Sequence, residues 1–97
     1  MYENMKILIL GAAKSGVSVA KLLANRNNDI TLSDLNDLEE NVKSELENLG
    51  IKIVITKNQC ELINKSYDLI VKNPAIMVTS DIVKKVNELN LRMENEI

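Results

Sequence analysis

Four aliphatic residues in a row, Ile7-Leu8-Ile9-Leu10, run up to Gly11 with no polar alternation. Such a run has no solvent face, so it predicts a strand covered on both sides, as in parallel sheets. From Ser15 to Arg26 the period changes to that of a helix. Val17, Ala20, Leu23 and Ala24 share one stripe, Ser18, Lys21 and Asn25 lie opposite, and the polar cluster Asn25-Arg26-Asn27-Asn28 closes it. Ile30-Thr31-Leu32 predicts a second strand ending at Ser33-Asp34, after which Leu38, Val42, Leu46 and Leu49 recur at helical spacing up to a stop at Gly50. Ile51 to Ile55 gives a third strand, Glu61 to Lys65 a short helix, and Leu69-Ile70-Val71 a fourth strand ended by Asn73-Pro74. Thr79 or Ser80 is placed to cap a last helix with Ile82, Val83, Val86 and Leu89 on its apolar side, and Leu91 to Met93 starts one more strand.

Strands and helices that alternate through short connections imply right-handed crossovers and a doubly wound open sheet, mostly parallel, of the α/β class. Residues 1–97 make one domain of this kind, without repeats, linkers or low-complexity stretches. In such sheets ligands bind beyond the carboxyl ends of the strands, where strand order reverses. That points to the loops at Gly11, Asp34 and Asn73. The opposite ends of the strands carry little besides solvated charge.

Composition narrows the chemistry. The chain has 97 residues, enough for one modest core, with 45% hydrophobic and 27% charged positions, so it is neither disordered nor fibrous. It has no His, Trp or Phe, one cysteine (Cys60), one proline (Pro74), and only Tyr2 and Tyr67 as aromatics. Without His there is no Ser-His or Cys-His pair, no imidazole metal ligand and no proton shuttle near neutral pH. A lone Cys forms neither an internal disulfide nor a CxxC site. It suits a reducing, cytoplasmic setting and reads as a small buried hydrophobe. The net charge of −2 and the lack of stacking rings argue against nucleic acid as a partner. The longest aliphatic run is far short of the roughly 20 residues that span a bilayer, so no membrane association is expected.

Gly11-Ala12-Ala13-Lys14-Ser15-Gly16 follows the first strand and opens the first helix, a degraded GxGxxG. Its outer glycines suit a tight turn and close helix packing, but Ala13 stands where a glycine would let backbone approach a pyrophosphate. The N–H groups and dipole of the helix start still favour an anion, and Lys14 and Ser15 add a charge and a hydroxyl. The plain alternative is a glycine turn capped by Ser15. The stretch is not a Walker A loop, because Val17 rather than Lys follows Gly16. Asp34 stands at about the 20-residue distance beyond the glycines where an acidic side chain accepts a ribose hydroxyl. It is equally placed to cap the next helix, with Asn36 or Asp37 sharing the task. Asn73 can present an amide to a base edge or simply make a turn with Pro74.

Taken together, KILILGAAKSGVSVAKLLANRNNDITLSD, LGIKIVI and YDLIVKNPAI closely resemble the N-terminal domain of the Mur ligases, over practically the whole chain from Lys6 to Ile97. The resemblance implies a Rossmann-like module that binds the uridine diphosphate of a muramoyl precursor, UDP-N-acetylmuramoyl-L-alanine. Lys14 and Ser15, with Ala13 and Gly16 beside them, then fall where family backbone N–H groups meet the diphosphate. Asp34, followed by Leu35 and Asn36, falls where an acidic side chain contacts uracil, and Asn73, Pro74 and Ala75 form the loop flanking the base. Ala13 and Ala75 stand where the family usually has Gly, and Leu35-Asn36 replaces a Thr-Arg pair found in some members. Asn95-Glu96-Ile97 resembles the start of the segment leading into a central ATPase domain of the same parent chain. The resemblance thus implies a cytoplasmic parent ligase of peptidoglycan synthesis that uses ATP and Mg²⁺ to join D-glutamate to the precursor. This chain would supply neither catalytic nor metal-binding residues and would be inactive alone. The rival readings are a NAD-binding module of a dehydrogenase or redox-sensing regulator, with Asp34 on the adenosine ribose, and a non-catalytic interaction domain.

Overall fold

The computed structural model of the chain describes residues 3–11, 14–72 and 80–95, with the side chains of 14, 15, 80 and 95 excepted. Among these residues the strands are β1 (Lys6–Leu10), β2 (Asp29–Asp34), β3 (Lys52–Ile55), β4 (Leu69–Lys72) and β5 (Arg92–Asn95). They form a single sheet of order β3-β2-β1-β4-β5, with every pairing parallel. Helices α1 (Lys14–Ala24), α2 (Glu40–Asn48) and α3 (Ser80–Glu88) and a 3₁₀ turn at Gln59–Leu62 supply the crossovers.

The expected two-sided burial of the first strand is met: Ile7, Leu8, Ile9 and Leu10 are all buried. Because side chains alternate across a strand, β1 divides the core in two. Ile7 and Ile9 join Ile30, Leu32, Leu69 and Val71 against Ala20 and Leu23 of α1 and Leu46 of α2. Leu8 and Leu10 join Ile70 beneath Ile63, Tyr67 and the α3 residues Ile82 and Val86. The chain therefore winds from β1 through β2 to β3 with α1 and α2 on one face. It then crosses to β4 and β5 with the 3₁₀ turn and α3 on the other. The reversal falls between β1 and β4.

Helix ends follow the local chemistry of the sequence. Gly50, at φ +81°, ends α2. Its N–H donates to the carbonyl of Glu47 at 2.9 Å, and the Ile51 N–H donates to that of Leu46 at 3.1 Å. This is the paired pattern of a left-handed helix stop, and Ile51 and Leu46 belong to the same core cluster. Asn90, at φ +55°, ends α3 in the same way, with Asn90 N–H on Asn87 O and Leu91 N–H on Val86 O.

Several boundaries depart from the sequence pattern. The second helix begins only at Glu40, so Leu38 packs on the core from the preceding loop. The short helix predicted over Glu61–Lys65 is a 3₁₀ turn that starts two residues earlier. Val83 is 41% exposed rather than part of the apolar side of α3, which Ile82 and Val86 carry. Cys60 is only partly buried, packing against the α3-side cluster. The amino ends of the strands are more than solvated charge. Asn28 accepts from Met5 N–H through Oδ1 (2.8 Å) and donates through Nδ2 to Leu23 O (2.9 Å), tying the end of α1 to the start of β1. The Lys6 N–H donates to Asp68 Oδ2 at 2.8 Å.

A Cβ on residue 50 would meet nothing within 4 Å. Gly50→Ala is therefore expected to destabilise the fold through backbone strain alone, by about 1 kcal/mol. That corresponds to a melting temperature roughly 4–8 °C lower. Thermal denaturation checks this, and an unchanged midpoint would remove the left-handed stop from the account of α2.

Candidate functional site

The carboxyl ends of three strands lie level at one edge of the sheet. Leu10 is the register partner of both Ser33 on β2 and Lys72 on β4. One step on, Gly11 turns at φ +107°, a conformation that side chains other than Gly rarely adopt. Its N–H donates to the Ser33 carbonyl at 2.7 Å, extending the ladder past the strand. The chain then enters α1 at Lys14, which sets the helix start and its N–H groups at this edge. Gly16 is buried within the first turns of α1. Ser15 lies inside the helix, not before it, so the alternative of a turn capped by Ser15 is corrected.

Asp34 closes β2, partly buried. Its Oδ1 accepts from the N–H groups of Leu35 at 2.6 Å and Asn36 at 3.4 Å, so the carboxylate folds the chain back on itself. It does not cap α2. Glu39 occupies that N-cap position without a side-chain cap bond. Asp37 serves the same loop, with Oδ1 accepting from Leu38 N–H at 2.9 Å and lying 3.6 Å from the Lys43 ammonium. Leu35 is 51% exposed and Asn36 is exposed, so both stand on the rim beside Asp34. Ala13, Asn73, Pro74 and Ala75 lie outside the described residues, as do the side chains of Lys14 and Ser15. The geometry thus brings together Gly11, Gly16, Asp34, Leu35 and Asn36 with the start of α1.

Three polar residues at this edge were not singled out by sequence reasoning. Ser33 is fully buried on the α3 side of β2, and Gln59 of the 3₁₀ turn, 8% exposed, covers it. Gln59 Nε2 donates to Ser33 Oγ at 3.4 Å. The signal was present, because Thr31 and Ser33 alternate with Ile30 and Leu32, leaving one face of a buried strand polar. Lys72, partly buried, ends β4 on the same face as Leu10. In composition this edge can hold an anion and hydrogen-bond a polar ligand. Among the described residues no three His, Cys, Asp or Glu side chains gather as a metal ion would require. No helix among them is long and apolar enough to cross a membrane.

A parallel sheet of this order, with a helix start and a cluster of polar groups at its carboxyl edge, defines a Rossmann-like α/β domain. No family model matches the chain. Among curated proteins, the UDP-N-acetylmuramoylalanine--D-glutamate ligase of Geobacillus kaustophilus is 38% identical over 97 residues, 99% of this chain and 22% of the relative. The ligase of the same name from Lactobacillus gasseri is 41% identical over 97 residues, 98% of this chain and 21% of the relative. Among solved structures, the murein peptide ligase Mpl of Psychrobacter arcticus superposes with a TM-score of 0.78 at 26% identity, covering 92% of this chain and 18% of its own. L-tryptophan dehydrogenase of Nostoc punctiforme, at a TM-score of 0.68 and 15% identity, shares the fold alone. Over nearly its whole length the chain is similar to ligases of the Mur family. Within that family its sequence stands with the ligases named for D-glutamate, of whose length it spans about 22%.

Asp34→Ala is expected to remove the acceptor of two loop amides, lowering stability by about 0.5–1.5 kcal/mol. Faster hydrogen exchange at Leu35 and Asn36 should accompany the loss. Asp34→Asn, which keeps an oxygen at the Oδ1 position, should retain most of both. Equal exchange in all three proteins would show that the carboxylate does not order this loop.

Proposed function

We propose that this chain is the domain that holds the uridine diphosphate part of UDP-N-acetylmuramoyl-L-alanine in a cytoplasmic ligase of peptidoglycan synthesis. The observation that carries the reading is the match of nearly the whole chain to ligases named for D-glutamate. The start of α1, Lys14 to Gly16, offers N–H groups to the diphosphate, together with Ala13 before it. Asp34 offers its carboxylate to uracil, with Leu35 and Asn36 on the rim and Asn73, Pro74 and Ala75 completing the base pocket. The two functions of Asp34 coexist, because a carboxylate has about four lone-pair sites and the loop uses few of them.

In this reading the chain binds and orients, and the parent's ATP and Mg²⁺ are handled elsewhere. Its residues do not fit those groups: the Gly11–Gly16 loop lacks the Walker Lys, and no metal-ligating cluster exists among the described residues. The remainder of the parent, beginning with a central ATPase domain, would activate the precursor carboxylate and admit the amine of D-glutamate. The 97-residue chain, given ATP, Mg²⁺, the precursor and D-glutamate, is then expected to form no amide.

Titration of the chain with UDP, the UDP-muramoyl-alanine precursor and NADH, followed by amide NMR shifts, tests the reading. The uridine ligands should move the resonances of Gly11, Lys14 to Val17 and Asp34 to Asn36, with affinity near 1 mM, equivalent to about −4.1 kcal/mol. Shifts at those positions with NADH alone would overturn it in favour of a dinucleotide module. Silence with all three ligands would favour a purely interacting domain.

A further inference from the structure

Lys72 occupies a position that the nucleotide contacts named so far leave unused. It is the last residue of β4 and the register partner of Leu10, so it stands across the β1–β4 boundary where strand order reverses. Leu10 and Ile70 both face the α3 side of the sheet, and strand alternation puts Lys72 there too. The side chain is partly buried, and no hydrogen bond or ion pair engages its ammonium among the described residues.

Glu94 is the register partner of Val71 and so lies on the opposite face, where its Oε1 sits 3.4 Å from Arg92. Asp81, in the first turn of α3, is exposed, and its carbonyl accepts from Cys60 Sγ at 3.7 Å. The Lys85 ammonium donates to the Cys60 carbonyl at 2.9 Å. The same row of the sheet is polar on the other side of Leu10. Ser33 is fully buried there beneath Gln59, whose amide oxygen has no partner among the described residues. An ammonium at this edge that no described carboxylate engages is a point charge available to an anion brought to the opening.

We infer that Lys72 is an affinity-determining contact for the diphosphate of the bound nucleotide, approaching from the β4 side of the opening while the start of α1 approaches from the β1 side. This rests on the reading that the chain holds a uridine diphosphate. It adds to that reading a side-chain cation on the strand across the reversal from β1. A point charge of this kind recognises the phosphates and is indifferent to the base. Its removal therefore weakens the diphosphate ligand and not the nucleoside, while the backbone N–H groups of α1 stay the same in every variant.

The test is calorimetric or NMR titration of the unmodified chain, Lys72→Met and Lys72→Arg with UDP and with uridine, at two salt concentrations. Lys72→Met is expected to weaken UDP about tenfold, which is about 1.4 kcal/mol. Uridine should stay within about twofold, and the salt dependence of UDP binding should flatten. Lys72→Arg should restore most of the affinity. Lys72→Gln replaces the Met variant if the latter melts early. Unchanged UDP affinity in Lys72→Met, or equal losses for UDP and uridine, would overturn the inference while leaving the uridine diphosphate reading intact. Absence of UDP binding by the unmodified chain would overturn both, and that result is visible before any variant is made.

Discussion

The structure depends on one strand having no wet face. Ile7, Leu8, Ile9 and Leu10 are each withdrawn from water, and an aliphatic side chain of that size is stabilised by about 1.5–3 kcal/mol on full burial. Such a strand must have helices on both sides, so crossovers on one face alone would leave half of it exposed. The chain meets the requirement by sending α1 and α2 to one side and the 3₁₀ turn and α3 to the other. Changing sides forces strand order to reverse next to β1. The loops leaving β1 and β4 then diverge, and the opening between them is the natural place for a ligand. The location of the candidate site is thus a by-product of how the central strand is covered.

Around that opening the described residues place backbone N–H groups and polar side chains. Gly11 brings backbone close to the edge, the start of α1 turns its N–H groups outward, and Asp34 organises the rim through bonds to its own loop. The chain has no histidine, and no three metal-ligating side chains gather among the described residues. The curated relatives are ligases, and the chain spans about 22% of their length.

The buried polar pair of Ser33 and Gln59 shows how the two levels of structure interact. A polar residue on an inward strand position costs free energy unless another polar group meets it. Here the partner comes from the 3₁₀ turn, 26 positions later in the chain, at a hydrogen-bond distance of 3.4 Å. The pairing also leaves polar atoms beneath the ligand edge where an apolar floor would otherwise lie.

Much was legible in the chain itself. The aliphatic run of β1, the stripe of α1 and the stop at Gly50 follow from side-chain period and from the freedom of glycine at positive φ, which are local properties. Sequence singled out Gly11 and Asp34 as candidates, and the structure shows Gly11 at φ +107° and Asp34 accepting from the N–H groups of its own loop. It misjudged the start of α2, since Asp34 and Asp37 can satisfy either a helix or a loop and only the packing of Leu38 and Val42 on the sheet selects the loop. It misjudged Val83 because helical spacing does not say how wide the covered stripe will be. Nor could it find Lys72 or the pair Ser33–Gln59, whose meaning comes from register: which residue stands level with Leu10, on which face, and beneath which turn. The sequence by itself determined the elements and the kind of sheet, since these depend on neighbours in the chain. Only the tertiary structure decided which polar groups share the edge, because burial and charge at a point are summed over segments that folding alone brings together.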